Sequence, residues 1–113
     1  MIARLMGLRT ISPDDLHRLI QEGGALAIDV NPPGGWLQAR VPGAVNLDPA
    51  AFASADLPED RAALLVFYCS NPLCRKAPTA ALRARKLGYE NVSVMSAGIK
   101  GWMSARLPVE SGA

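Results

Sequence analysis

The sequence predicts an α/β domain, a mostly parallel sheet with helices packed on its faces, and three observations predict it. Residues 25–30 (ALAIDV) and 63–69 (ALLVFYC) are short, near-continuous apolar runs, the pattern of strands buried on both faces. A helical pattern over residues 75–87 follows the second run and leads into a third, residues 91–95 (NVSVM). A helix joining two such strands is the crossover of a parallel pair, right-handed by the usual chirality, and the whole order is that of a layered α/β domain.

Each element has a local cause. Ser12 is a good helix N-cap, Pro13 suits the first helical position, and Asp15 places a carboxylate in the first turn, where the helix end is positive. Leu16, Leu19 and Ile20 give a buried stripe, and Gly23-Gly24 ends the helix. The first strand, 25–30, stops at Asn31-Pro32, and residues 31–36 (NPPGGW) are expected to be loop. Val41-Pro42-Gly43-Ala44 is a turn into a short strand, Val45-Asn46-Leu47. Pro49 to Phe52 is read as a helical turn and residues 54–61 (SADLPEDR) as loop. In the helix at 75–87, Ala77, Ala80, Ala81, Ala84 and Leu87 share one face, and small residues let it lie close on a sheet. Pro78 falls in the first turn, where a missing N–H costs little, and Gly88 stands where a helix C′ glycine belongs. A short last helix ends before Pro108.

The 113 residues fit one domain spanning 1–113, and with half of them hydrophobic they supply a core. Twelve basic against ten acidic residues give a net charge of +2, too balanced for nucleic-acid binding on charge alone. Two cysteines and one histidine cannot build a four-ligand zinc site, so no metal is expected. The start, MIARLMGLRT, has no apolar region of the ~7 residues a signal peptide needs, and no run approaches the ~20 of a membrane span. The expectation is a cytoplasmic protein without a membrane partner, in a compartment where thiols are more often chemical than structural.

The stretch with most chemistry is residues 66–76, VFYCSNPLCRK. In open parallel sheets ligands sit beyond the carboxyl ends of the strands, and Cys69 is the last residue of the strongest one. The loop after it runs into a helix N-terminus, where converging backbone N–H groups and the helix dipole favour an anion. Arg75 and Lys76 act in the same sense. A thiol here is expected to ionise below the ~8.5 of free cysteine and to act as a nucleophile. The residues expected to contact a substrate are Ser70, Asn71, Leu73, Cys74, Arg75 and Lys76, with Cys69 catalytic. His17 is expected on the surface. Trp36 either walls the pocket or packs on the sheet, and Asp29 is expected to make structural hydrogen bonds.

Four segments together resemble the rhodanese family of sulfurtransferases. AIDV (27–30) looks like the family's strand and aspartate before the first catalytic-side loop, VPGAVNL (41–47) like its IPGAxNI segment, and LLVFYC (64–69) like its nucleophile strand. LGYENVSVMSAGIKGWMSARLPVE (87–110) is similar to its C-terminal pattern, in which Trp102 is a core position. The resemblance spans residues 10 to 110. It implies the three-layer rhodanese fold with a five-stranded sheet, and a Cys69 persulfide formed from a sulfane-sulfur donor and passed to a thiophilic acceptor. The implied partners are a small sulfur-containing anion, such as thiosulfate, and a thiol acceptor, which can be a protein; no organic cofactor or metal is implied.

The chain departs from that pattern in places. Pro72 stands where the family's loop commonly has a glycine, removing one N–H from the cradle. Asn31 replaces an arginine, and Arg40 stands in place of a histidine. Counted to Cys74 the loop has the sulfurtransferase length; counted to Arg75 it is Cys-x5-Arg, the longer loop of rhodanese-like phosphatases and arsenate reductases. Ester cleavage there would also need a general acid, for which Asp29 and Asp48 are candidates. Cys74 is a candidate resolving thiol that could attack an oxidised or persulfidated Cys69, releasing sulfide or closing a disulfide. A thiol-based reductase and a low-turnover sulfur carrier, docking through the Arg75–Lys86 basic face, therefore stay open beside sulfur transfer.

Overall fold

The computed structural model describes residues 2–113. Five parallel strands, β1 (Arg9–Thr10), β2 (Leu26–Asp29), β3 (Val45–Asn46), β4 (Leu65–Tyr68) and β5 (Val92–Val94), form one sheet in the order β1-β5-β4-β2-β3. The register places Ile28 beside Phe67 and Phe67 beside Val94. The central strand is thus β4, flanked on both sides, and its Leu65, Val66, Phe67 and Tyr68 are all buried.

Side chains alternate across β4, and two core layers result. Leu65, Phe67 and Cys69 face a layer formed by helix α4 (Lys76–Lys86) and by Ala3 of α1 (Ile2–Leu5). Val66 and Tyr68 face the other layer, with Leu16 of α2 (Pro13–Gln21) and Trp102 of α5 (Gly98–Ser104). The alanine face of α4 is buried at Ala77, Ala80, Ala81 and Ala84, which brings that helix close to the sheet. Each large apolar side chain so enclosed contributes about 1.5–3 kcal/mol.

Local signals act as the sequence suggests. The Ser12 hydroxyl accepts from the Asp15 amide at 3.1 Å, and Gly88 takes a positive φ of 101° just past α4. Trp102 is fully buried, its indole N–H donating to the Pro108 carbonyl at 2.7 Å. Among the described residues no helix is long and apolar enough to cross a membrane.

Four expectations are corrected. Residues 31–36 are not all loop, because α3 covers Pro33–Gln38. Pro33 presets the helical φ at the first turn, the Gly35 and Trp36 amides bond to the Pro32 carbonyl, and the Trp36 indole N–H ties the turn to the Ala44 carbonyl. The loop at 54–61 holds a single 3-10 turn, Ser54–Asp56, closed by the Asp56 carboxylate accepting from the Ala53 amide. His17 is half-buried, edge-on to Trp102 at 5.7 Å between ring centres. The fifth strand is β1, preceded by α1, in a segment where no periodic pattern pointed to either.

Candidate active site at the carboxyl end of β4

Cys69 follows β4 directly, and the alternation of that strand turns it toward α4. Its carbonyl accepts from the Ile99 amide at 2.9 Å, and the Ser70 carbonyl accepts from the Lys100 amide at 3.1 Å. The start of α5 therefore holds down the start of the loop.

The rest of the loop is shaped by Asn71 and Pro72. The Asn71 carbonyl accepts from the Cys74 amide at 3.2 Å, and its side-chain oxygen accepts from the Leu73 amide at 2.9 Å. This is a β-turn with Asn at its first position and Pro at its second, the residues such a turn favours. It folds Cys74 back toward Cys69, to a Cα–Cα separation of 6.5 Å, and the two cysteines are disulfide-bonded. The separation lies inside the range a disulfide tolerates.

The anion donors lie mainly at the helix start. The turn has already used the amides of Leu73 and Cys74, and Pro72 has none, so the converging loop amides expected from the sequence are fewer than foreseen. Among the described residues the amides of Arg75, Lys76 and Ala77 take no acceptor, as first-turn N–H groups do. Arg75 is the N-cap of α4 and has no side-chain capping bond, and no acidic residue stands in its first turn. Arg75 and Lys76 are exposed, and neither forms an ion pair among the described residues. This end of the helix is electropositive and unneutralised.

Two cavities meet this region from different sides. A small one of about 10 Å³ is bordered by Cys69, Asn71, Cys74 and Ser96, with Ile2 and Ala3 of α1 also lining it. The Ser96 hydroxyl is buried without a hydrogen-bond partner. An open groove of about 380 Å³ runs past the ends of β2 and β3, lined by Asn31, Asn46, Asp48, Pro49 and Lys76 among others. A neighbouring, mostly apolar hollow adds Arg75 and Thr79. Cys69 and Cys74 thus border the small cavity, whereas Arg75 and Lys76 line the larger hollows. Cys69 is 3% exposed, Cys74 is partly exposed, and Leu73 at the loop tip is 82% exposed.

Behind the loop, Asp29 is fully buried and accepts from the Asn31 amide and the Tyr68 hydroxyl at 2.8 and 2.9 Å. The Val41 amide donates to the same Tyr68 oxygen at 3.0 Å. Burial raises the Asp29 pKa, and its hydrogen bonds only partly oppose that. Burial and the neighbouring carboxylate raise that of Tyr68, which stays a neutral phenol. This network ties β2 to β4 and to the turn before β3, and it does not reach the cysteine cavity. Asp48 lies in the groove and accepts from the Ala50 amide. Trp36 lines neither cavity; Arg40 stacks on its ring at 3.8 Å and donates to the Trp36 and Gly112 carbonyls.

Sequence reasoning singled out the loop residues and missed Ser96 and Gly98. Both follow β5, so the rule that directs attention to strand carboxyl ends would have found them. No cluster of His, Cys, Asp and Glu among the described residues is arranged to hold a metal ion.

Comparison with known proteins bears on the fold and the family. The chain is 35% identical over 105 residues to the HTH-type transcriptional regulator Rv0324 of Mycobacterium tuberculosis, covering 91% of the chain but 45% of that relative's length. The BH2092 protein of Bacillus halodurans superposes with a TM-score of 0.83 at 23% identity, over 91% of this chain and 77% of that one. A thiosulfate sulfurtransferase of Pseudomonas aeruginosa gives 0.81 at 25% identity, over 93% of this chain and 20% of that one. The sequence from residue 12 to residue 105 matches the Rhodanese-like domain, and the chain belongs to that family.

Proposed function

We propose that the domain is a sulfurtransferase that carries a sulfane sulfur on Cys69. The observation that supports this most is the placement of Cys69 at the end of the central strand, facing the unneutralised start of α4, in a chain of the rhodanese-like family. With thiosulfate as donor, the Cys69 thiolate attacks the outer sulfur. The sulfur–sulfur bond of the donor breaks, sulfite leaves with the electron pair, and Cys69 holds a persulfide. The free first-turn amides of α4, with Arg75 and Lys76, stabilise the incoming and departing anions. A thiol acceptor then takes the outer sulfur. The exposed Leu73 and the basic residues of α4 offer a protein acceptor a surface beside the loop.

The disulfide-bonded form cannot start this cycle, because its Cys69 sulfur is bonded and faces a cavity of about 10 Å³. The active form is the dithiol. Intact-protein mass spectrometry of the reduced protein after exposure to thiosulfate tests the proposal. Cys74→Ser, which has no second thiol in the loop to displace the sulfur, gains one sulfur atom and Cys69→Ser gains none; equal gain by both, or gain by neither, overturns it.

A further inference from the structure

We propose that Cys74 resolves the Cys69 persulfide, expelling the sulfane sulfur as hydrosulfide and leaving the Cys69–Cys74 disulfide, which an external dithiol reopens by attack on Cys74. The inference rests on the Cys69 persulfide proposed above and adds to it a reductive outcome, a product and a class of partner.

The step balances within the loop. The Cys74 thiolate forms a bond to Sγ of Cys69, and the bond from that Sγ to the outer sulfur breaks. The outer sulfur leaves with the bonding pair and the persulfide's proton, as hydrosulfide. The proton of Cys74 has gone to solvent beforehand. The two cysteine sulfurs together lose two electrons, and the sulfane sulfur gains them.

Three features of the loop favour this reaction. The Asn71–Pro72 turn fixes Cys74 against Cys69, with its amide bonded to the Asn71 carbonyl and the Cα atoms 6.5 Å apart. The attack is therefore intramolecular and pre-organised. The cavity bordered by Cys69 and Cys74, about 10 Å³ in the disulfide form, has room for about one water, so with the loop in this arrangement no second molecule stands between the two sulfurs. When no acceptor occupies the open side, the thiol nearest to the persulfide is the one already in the loop. Arg75 and Lys76 follow Cys74 directly in sequence and carry no ion-pair partner among the described residues, so the positive charge beside the loop is not neutralised.

The same geometry sets the direction of reduction. Cys69 is 3% exposed, Cys74 is partly exposed, and Leu73 beside it is 82% exposed. A reductant reaches the Cys74 sulfur and expels Cys69, whose thiolate leaves toward the positive end of α4. The second thiol of the reductant then releases Cys74 and closes a disulfide in the reductant. A dithiol completes both steps in one encounter.

A single turnover without added thiol tests the proposal, because an external thiol would itself take the sulfur. Reduced, desalted protein is mixed with an equimolar amount of thiosulfate, and sulfite, hydrosulfide, free thiols and intact mass are followed. Wild type is expected to release sulfite and hydrosulfide in equal amounts and to end with both cysteines oxidised. Cys74→Ser and Cys74→Ala are expected to release sulfite, lose the hydrosulfide burst and keep the extra sulfur on Cys69. Hydrosulfide released by these variants as fast as by wild type overturns the role of Cys74. So does a wild-type protein that keeps its persulfide beside a free Cys74 thiol. Absence of sulfite from all three proteins overturns the persulfide itself, and is told apart by that absence.

Discussion

Gly98 is pressed against the backbone of Ser70: a β-carbon built on it would lie 2.5 Å from the Ser70 carbonyl carbon and 2.6 Å from its oxygen. Its φ of 68° is in the left-handed region, so a side chain here is strained as well as obstructed. The contact sits beside the two hydrogen bonds from Ile99 and Lys100 that hold the Cys69 loop. Gly98→Ala is expected to cost about 3 kcal/mol, measured as a shift in the urea unfolding curve. Because the obstruction is with backbone, the loop must move to relieve it, and the reduced variant should also show altered alkylation kinetics at Cys69. Wild-type stability with unchanged alkylation would show that Gly98 does not fix the loop.

Lys76 is the basic side chain that borders both the open groove and the apolar hollow beside it. An anionic donor approaching from the groove meets it early, so it acts as a screened, long-range charge more than as a fixed ligand. Lys76→Ala is expected to raise the KM for thiosulfate by roughly three- to tenfold at low ionic strength, with the difference shrinking as salt is added. A salt-independent effect, or one on kcat alone, would place Lys76 in direct contact with the reacting anion.

The parts legible in the sequence are those with a local cause. β2, β4, β5 and α4 show as apolar runs and a helical stripe, and Ser12, Pro78 and Gly88 mark their helix ends because capping is decided within a few residues. The position of Cys69 follows from its place at the end of the strongest apolar run. β1 was illegible because two residues, Arg9 and Thr10, are strand only through backbone pairing with Ser93 and Val94. α3 is hidden in the sequence because Pro-Pro-Gly-Gly argues against helix, and the bond that ties its Trp36 down is made eight residues on, at Ala44. The pairing of Cys69 with Cys74 depended on which turn Asn71 and Pro72 make. Spacing alone does not decide that.

The disulfide should also be visible in stability. It closes a short loop, with a sequence separation of 5, and the chain-entropy model assigns such a loop about 2 kcal/mol. Reduction is expected to lower the unfolding free energy by that amount, roughly 8 °C in Tm for a domain of this size. Cys74→Ser in the absence of reductant should match the reduced wild type, since either change opens the same loop. No difference between oxidised and reduced wild type would mean that the loop is equally restrained without the bond, with the Asn71 turn sufficient by itself.

Asp29 makes stability depend on pH with a sign opposite to that of an ion-paired carboxylate. Burial raises its pKa above the ordinary 3.8, and the bonds from Asn31 and Tyr68 do not cancel the effect. Between the ordinary value and the raised folded value, the folded state binds more protons than the unfolded state. The Asp29 contribution to stability therefore falls as pH rises through that window, and it is fully retained below it. Asp29→Asn cannot ionise and keeps an oxygen acceptor for the Asn31 amide, so it lacks this slope. Urea unfolding of both proteins from about pH 3 to about pH 7 should show the stability of the variant relative to wild type rising across the window. Other carboxylates cancel in that difference. A difference that stays flat, or that falls with pH, would show the buried carboxylate to be as comfortably ionised in the fold as in water, with the Tyr68 hydroxyl and the Asn31 amide as sufficient solvation.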